Sequence, residues 1–246
     1  MTNCATYFDM GVIDYAECWQ LQKQLFDSLL AAKSNGSATQ QYLLLCEHPP
    51  VYTLGKSGHP ENMLASESQL RSQGASLYRI DRGGDITFHG PGQLVGYPIL
   101  DLQQENMGLK EYIYALEESI IQTLAEYDIR GCRVAGATGV WLSDDKPLRK
   151  IAAIGVRASR YVTMHGFALN VNTDLQWFSQ INPCGFTDRG VTSIRQETGS
   201  DADMQHVKEV FAAKFEKNIN IKIKIEDYAD RKTLGTEAPR GPSQSG

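Results

Sequence analysis

Three apolar runs follow one another through the middle of the chain: Gly139 to Leu142, Lys150 to Ala158 and Val162 to Val171. Tight turns join them, and strands joined that way pair antiparallel, because a parallel crossover needs a dozen residues or more. Helical periods stand on either side. Leu109 to Tyr127 keeps Leu109, Ile113, Leu116, Ile120 and Leu124 on one stripe, and Asp14 to Lys33 does the same with Cys18, Leu21, Leu25 and Leu29. A third helix, Asp201 to Lys217, turns Met204, Val207, Phe211 and Phe215 inward. It leads into Asn218 to Ile225, a half-buried strand in which isoleucines alternate with Asn220, Lys222 and Lys224, lysines being a guard against edge-to-edge pairing.

Shorter elements fill the rest. Tyr42 to Glu47 reads as a buried strand closed by His48-Pro49-Pro50, Met63 to Ser72 as a short helix and Leu77 to Ile80 as a strand. Leu94 to Leu102 is strand-like but interrupted by Pro98, and Asp174 to Ile181 reads as a short helix. Helices mixed with antiparallel strands predict an α+β class. One domain is expected over residues 1–230, with a disordered Gly-, Pro- and Ser-containing tail at 231–246.

Composition narrows the function. A chain of 246 residues that is 41% hydrophobic can bury a full core. Its 24 basic and 29 acidic residues leave a net charge of -5 and no basic stripe, which argues against nucleic acid. No apolar stretch reaches membrane-span length, and Met1-Thr2-Asn3-Cys4 lacks the basic-then-apolar start of a signal segment, so a cytoplasmic protein is expected. Cys4, Cys18, Cys46, Cys132 and Cys184 form no Cys-x-x-Cys pair, and no two histidines are spaced for one helical face. That pattern argues against disulfides and against a metal site. Each thiol is then a small core hydrophobe or a nucleophile.

Two residues stand out. Cys184 lies between Pro183 and Gly185, on a turn with no neighbouring β-carbon to shield it. Lys150 heads the apolar strand Ile151 to Val156, an expensive place for an ammonium unless a site uses it. Read blandly, they are a core thiol and a loop-end lysine. Read together, they are a nucleophile and the cation that favours its thiolate, since a free thiol with a pKa near ~8.5 is only slightly ionised at neutral pH. Arg82-Gly83-Gly84-Asp85-Ile86-Thr87-Phe88-His89 offers glycines for close backbone approach, a guanidinium and an imidazole. It is either a ligand-binding segment or a hairpin turn, and lacks the spacing of a phosphate loop. His165 reads more as a satisfied core histidine than as a catalytic one, and Phe167 as core or pocket.

These blocks, taken in order, resemble the lipoyl(octanoyl) transferases. The match runs through Arg82-Gly83-Gly84, Thr87, His89-Gly90-Pro91-Gly92-Gln93-Leu94-Val95, Tyr97-Pro98, Lys150-Ile151-Ala152-Ala153-Ile154-Gly155, His165-Gly166-Phe167-Ala168-Leu169-Asn170-Val171 and Pro183-Cys184-Gly185, in register from about Tyr7 to Lys217. Gly136-Ala137-Thr138-Gly139 departs from the family's Pro-Gly turn. The resemblance implies the biotin/lipoate protein ligase-like fold, with mixed, mostly antiparallel sheets packed against helices. It implies octanoyl transfer from acyl carrier protein to a lysine of lipoyl domains or of the glycine-cleavage H protein, with no cofactor. Carried over by position, Cys184 is the thioester nucleophile and Lys150 tunes it. The acyl-binding segments are then Arg82 to His89, Ala153-Ile154-Gly155 and Gly166-Phe167-Ala168. The rivals are an ATP-dependent ligase on the same fold, which needs a phosphate-gripping element and no Cys184, and a non-catalytic binder of lipoyl domains.

Overall fold

Period-two burial along one strand dictates the layering. In β2 (Gln41–Glu47), Leu43 and Leu45 face one core while Tyr42, Leu44 and Cys46 face another. A strand buried on both faces needs a sheet covered on both sides. The computed structural model, which describes residues 3–182 and 190–228, has that arrangement.

The main sheet runs, edge to edge, through β12 (Lys222–Ile225), β1 (Cys4–Val12), β2, β6 (Gln93–Ile99), β10 (Val162–Asn170), β9 (Arg149–Ser159), β8 (Ala137–Leu142) and β7 (Cys132–Val134). A two-residue strand, β11 (Gly190–Val191), lies parallel to β9. One face is covered by α1 (Tyr15–Ser34), whose Leu25, Phe26 and Leu29 meet Phe8, Leu44 and Met164. The other carries α3 (Leu109–Ala125) and α5 (Met204–Ile219), where Leu116, Ile120, Phe211 and Phe215 pack on Leu43, Leu94 and Phe167. A second sheet of β4 (Ser76–Arg79), β3 (Val51–Leu54) and β5 (Ile86–His89) has its own core around Tyr52, Phe88, Trp177 and Phe178.

The α+β expectation and the antiparallel run β8–β9–β10 match the observed topology. Asp14 caps α1 and Asp203 caps α5, each side chain accepting from backbone N–H groups, so both helices begin where an acidic residue can satisfy them. Other expectations change. The helix expected over Met63 to Ser72 shortens to α2 (Glu67–Ser72), because the Ser66–Gln69 capping box starts it there. Asp174 to Ile181 is a 3-10 turn over Leu175–Gln180. Ile219 ends α5, Asn220 takes a left-handed φ of 60°, and only Lys222–Ile225 is strand, at the sheet edge. Pro98 lies inside β6 without breaking it. The β6–β10 ladder stops at Gly96, where His165 turns to a φ of 59°, so the missing N–H costs no pairing on that side. Strands β1, β3 and β5 carry no clear period in the sequence. Residues 183–189 and the tail beyond 228 lie outside the described residues.

Arg149 anchors the start of β9. Its guanidinium grips Asp144 at 2.7 and 2.8 Å and Glu197, in α4 (Ile194–Thr198), at 2.7 and 2.8 Å, while Thr192 also donates to Glu197. The bond from Arg149 holds the Glu197 carboxyl down at about 2, against an ordinary value of 4.5. A carboxylate depressed in the fold contributes stability above its unfolded value and loses it as pH falls through its folded one. Glu197→Gln should lower Tm at pH 7 by roughly 5 °C, because it leaves a buried guanidinium half-paired. It should also flatten the loss of Tm between pH 4.5 and 2 seen in the parent, and superimposable Tm–pH curves would refute this role.

Candidate active site

Small residues in register form one wall of the site. Ala153 pairs with Ala168 and Gly155 with Gly166 across β9 and β10. Paired and alternate residues share a face, so the four lie together on the α1 side of the sheet. A cavity of 290 Å³ opens over them, bounded from β5 by Ile86, Thr87 and His89 and from β6 by Val95 and Tyr97. Ile154 and Phe167, one register step away, belong to the opposite core, where Phe167 lies 4.4 Å from the Phe211 ring. Both still border the cavity, but as the back of its wall.

Lys150 stands at one end of this cavity, half buried. Its Nζ lies 4.5 Å from the centre of the Trp141 ring on the neighbouring strand, a cation–π contact that holds the ammonium in place. Val191 pairs in register with Lys150, and the Thr192 N–H donates to the Lys150 carbonyl at 2.9 Å. The chain that carries Cys184 therefore returns beside Lys150. Cys184 itself lies outside the described residues.

The glycine-rich segment divides between roles. Arg82 borders the cavity, and its guanidinium donates to the Thr53 carbonyl at 2.6 Å, to Thr53 Oγ1 at 3.0 Å and to the Gly83 carbonyl at 3.0 Å. Gly83 donates to Val156 O and ties the segment to β9, and Phe88 stacks on Trp177 in the small core. Neither borders the cavity among the described residues. Gly84 does, at a φ of 86° that favours glycine, as does Asp85, whose carboxylate accepts from His59 N and Asn62 Nδ2.

His89 begins a buried polar chain. Its Nδ1 lies 2.8 Å from Gln93 Oε1, Gln93 Nε2 donates to Asn170 Oδ1 at 2.8 Å, and Asn170 Nδ2 donates to Thr192 O at 2.9 Å. Because the Gln93 amide must present its oxygen, His89 carries its proton on Nδ1 and leaves Nε2 as an acceptor. Burial lowers the His89 pKa to about 3, so the ring is neutral. At the far end His165 Nε2 contacts Asp81 at 2.8 Å, and Asp81 also pairs with Arg157. The His165 bond draws the Asp81 carboxyl down to about 2, while burial lowers the His165 pKa. His165 is thus satisfied on Nε2, as a core histidine should be, although its Nδ1 has no partner among the described residues.

Tyr15, Gln93, Tyr97, Trp141, Asn170 and Val191 also border the cavity and were not marked as site residues by the sequence reading. Trp141 and Asn170 lie in strands that the periodicity identifies, so facing direction was the missing signal. Tyr15 comes from a helix far away along the chain.

The chain matches the model of the lipoyl protein ligase A/B catalytic domain over residues 14–216. An octanoyltransferase of Bacteroides fragilis is 57% identical over 202 residues, covering 82% of this chain and 91% of that protein. An octanoyltransferase of Bacteroides thetaiotaomicron is 56% identical over 202 residues, covering 82% and 89%. Among solved structures, a bipartite lipoate protein ligase of Thermoplasma acidophilum superposes with a TM-score of 0.70 at 13% identity, covering 94% of this chain and 90% of that one, a likeness of fold. A cavity floored by small residues with a lysine at one end, and relatives of this identity over this length, lead to one conclusion: the chain belongs to the lipoyl protein ligase A/B catalytic domain family, among its octanoyltransferases.

Proposed function

We propose that this protein moves an octanoyl group from octanoyl-acyl carrier protein to a lysine of lipoyl domains and of the glycine-cleavage H protein. The route is a thioester on Cys184, and the work is done in the cytoplasm. The observation that carries the reading is the register of Val191 with Lys150, both of which border a largely apolar cavity. Cys184 is six residues from Gly190, so it lies within about 20 Å of chain reach of the Lys150 strand. No helix among the described residues is long and apolar enough to cross a membrane.

The resting pair is a Cys184 thiolate beside a Lys150 ammonium. The thiolate attacks the octanoyl thioester carbonyl, a C–S bond to Cys184 forms, and the donor's C–S bond breaks. Lys150 gives its proton to the departing thiolate, so the donor leaves as a free thiol. One thioester replaces another, and the step is close to thermoneutral. The acceptor lysine then attacks as a neutral amine, the C–N bond forms, and Lys150 takes the excess amine proton as Cys184 leaves as thiolate. The starting ion pair is restored. Forming an amide makes this second step downhill. The acyl chain lies over Ala153 and Ala168, and by filling the cavity it keeps water from the thioester.

Incubation with octanoyl-carrier protein and no ATP should add one octanoyl mass on the peptide holding Cys184. Label on Cys46 or Cys132, or a requirement for ATP, would overturn the reading. Cys184→Ala should abolish transfer with an unchanged melting curve.

Lys150→Ala should slow iodoacetamide modification of Cys184 at neutral pH, with the loss recovering at alkaline pH, since a nearby cation favours thiolate. Lys150→Arg should keep more of the alkylation rate than of the transfer rate, because arginine is a poor base. Identical pH–alkylation profiles for parent and Lys150→Ala would rule out the dyad.

Ala153→Leu adds three carbons to the cavity floor and displaces about three methylenes at ~0.8 kcal/mol each. Octanoyl kcat/KM should therefore fall by roughly 50-fold, with butyryl transfer spared. Equal losses for both donors would move the acyl chain elsewhere.

A further inference from the structure

Behind Tyr15 and Tyr97 lies a second group of side chains that acyl transfer does not use. Cys18 on α1, Cys46 on β2 and His48 just beyond it are each fully buried. Their sulfurs and one imidazole nitrogen lie within 4.8 Å of one another. His48 Nδ1 is 2.7 Å from the Ile13 carbonyl oxygen, so it donates its proton there. That bond leaves the Nε2 lone pair facing Cys46 Sγ at 3.5 Å and Tyr97 Oη at 2.8 Å. A ring held through one nitrogen by a backbone carbonyl, with the other nitrogen turned to thiols, is oriented as metal-binding imidazoles are.

We propose that Cys18 Sγ, Cys46 Sγ and His48 Nε2 form a buried site for a divalent ion of the zinc type, with Tyr97 Oη as fourth donor. Geometry supports it. Tetrahedral coordination with metal–sulfur and metal–nitrogen bonds of about 2.3 and 2.0 Å separates the two ligand atoms by about 3.5 Å. The Cys46–His48 separation is 3.5 Å. The His48–Tyr97 contact, at 2.8 Å, must open by about half an ångström.

Charge selects the ion. Two thiolates neutralise a divalent cation, and a neutral complex is the one that can stay buried; a monovalent copper would leave a net negative charge. Thiolate and imidazole donors also disfavour magnesium and calcium. The Tyr97 hydroxyl and the Cys46 thiol both face the single lone pair of His48, and Gln22 Nε2 reaches Cys18 Sγ only at 3.9 Å.

Both sulfurs bind as thiolates, so loading two thiols with one divalent ion releases two protons to solvent. The bound ion ties α1, β2 and β6 together behind the acyl cavity, whose wall includes Tyr97 and gives the ion its way in. Spacing along the sequence argued against zinc; folding brings positions 18, 46, 48 and 97 to one point.

The test uses the intact, reduced chain. After zinc loading and a chelator wash, elemental analysis should find one zinc per chain and a raised Tm. Cobalt in its place should give thiolate-to-cobalt charge-transfer absorption and tetrahedral d–d bands. Cys18→Ser and Cys46→Ser should lose ion, absorption and Tm shift, while Cys132→Ser and Cys184→Ala keep all three. X-ray absorption at the zinc edge of the parent, which needs no variant to fold, should show two sulfurs with nitrogen and oxygen. No retained zinc, a first shell without two sulfurs, or loss confined to Cys184→Ala would overturn the proposal.

Discussion

The antiparallel register between β9 and β10 is the constraint on which the site depends. It sets Ala153 against Ala168 and Gly155 against Gly166, so four small residues fall on one face and border the cavity, with Gly155 letting Gly83 approach the strand closely. Slipping that register by one residue would turn Ile154 and Phe167 into the cavity and the small residues into the core. Packing prevents the slip, because Phe167 is committed to Phe211 and Phe215 on the far side. Gly96 makes room for that ring: a β-carbon there would stand 2.1 Å from the Phe167 edge.

Around this floor the polar groups are arranged by hydrogen bonds that leave little freedom. Arg149 locks the first residue of β9 to Asp144 and Glu197, which fixes where Lys150 begins. The His89–Gln93–Asn170–Thr192 chain couples β5 and β6 to the strand that returns beside Lys150. Such a network is stable only when each member is paired, and here every link has a donor and an acceptor. Reactive chemistry at one end of the cavity thus rests on interactions that carry no reactive group themselves.

Long amphipathic helices were legible in the chain because their period is local. Asp14, at the head of α1, and Asp203, at the head of α5, can cap a helix wherever the helix packs. Strands β8, β9 and β10 were legible for the same reason, being apolar runs between tight turns. Strands β1, β3 and β5 were not, since each is short or buried on both faces and its partners are far away in sequence. At the site, Lys150 could be read from its oddity at the head of an apolar strand, and the small-residue blocks from the resemblance to the family. Arg82, read as a ligand group, borders the cavity and also donates to Thr53, on a strand 29 residues away.

By itself, then, the sequence determined the class of fold, the helices and the strand that carries Lys150, because side-chain periodicity and capping act within a few residues. It also marked Cys184 and Lys150 by their settings, through the blocks this family shares. Only the tertiary structure decided which face each strand offers and that Tyr15 and Tyr97 close the cavity. It alone brought Cys18, from a helix distant in sequence, to within 4.8 Å of Cys46 and His48. Those outcomes depend on register and on non-local packing, where a shift of one residue reverses every side chain, and no local pattern records it.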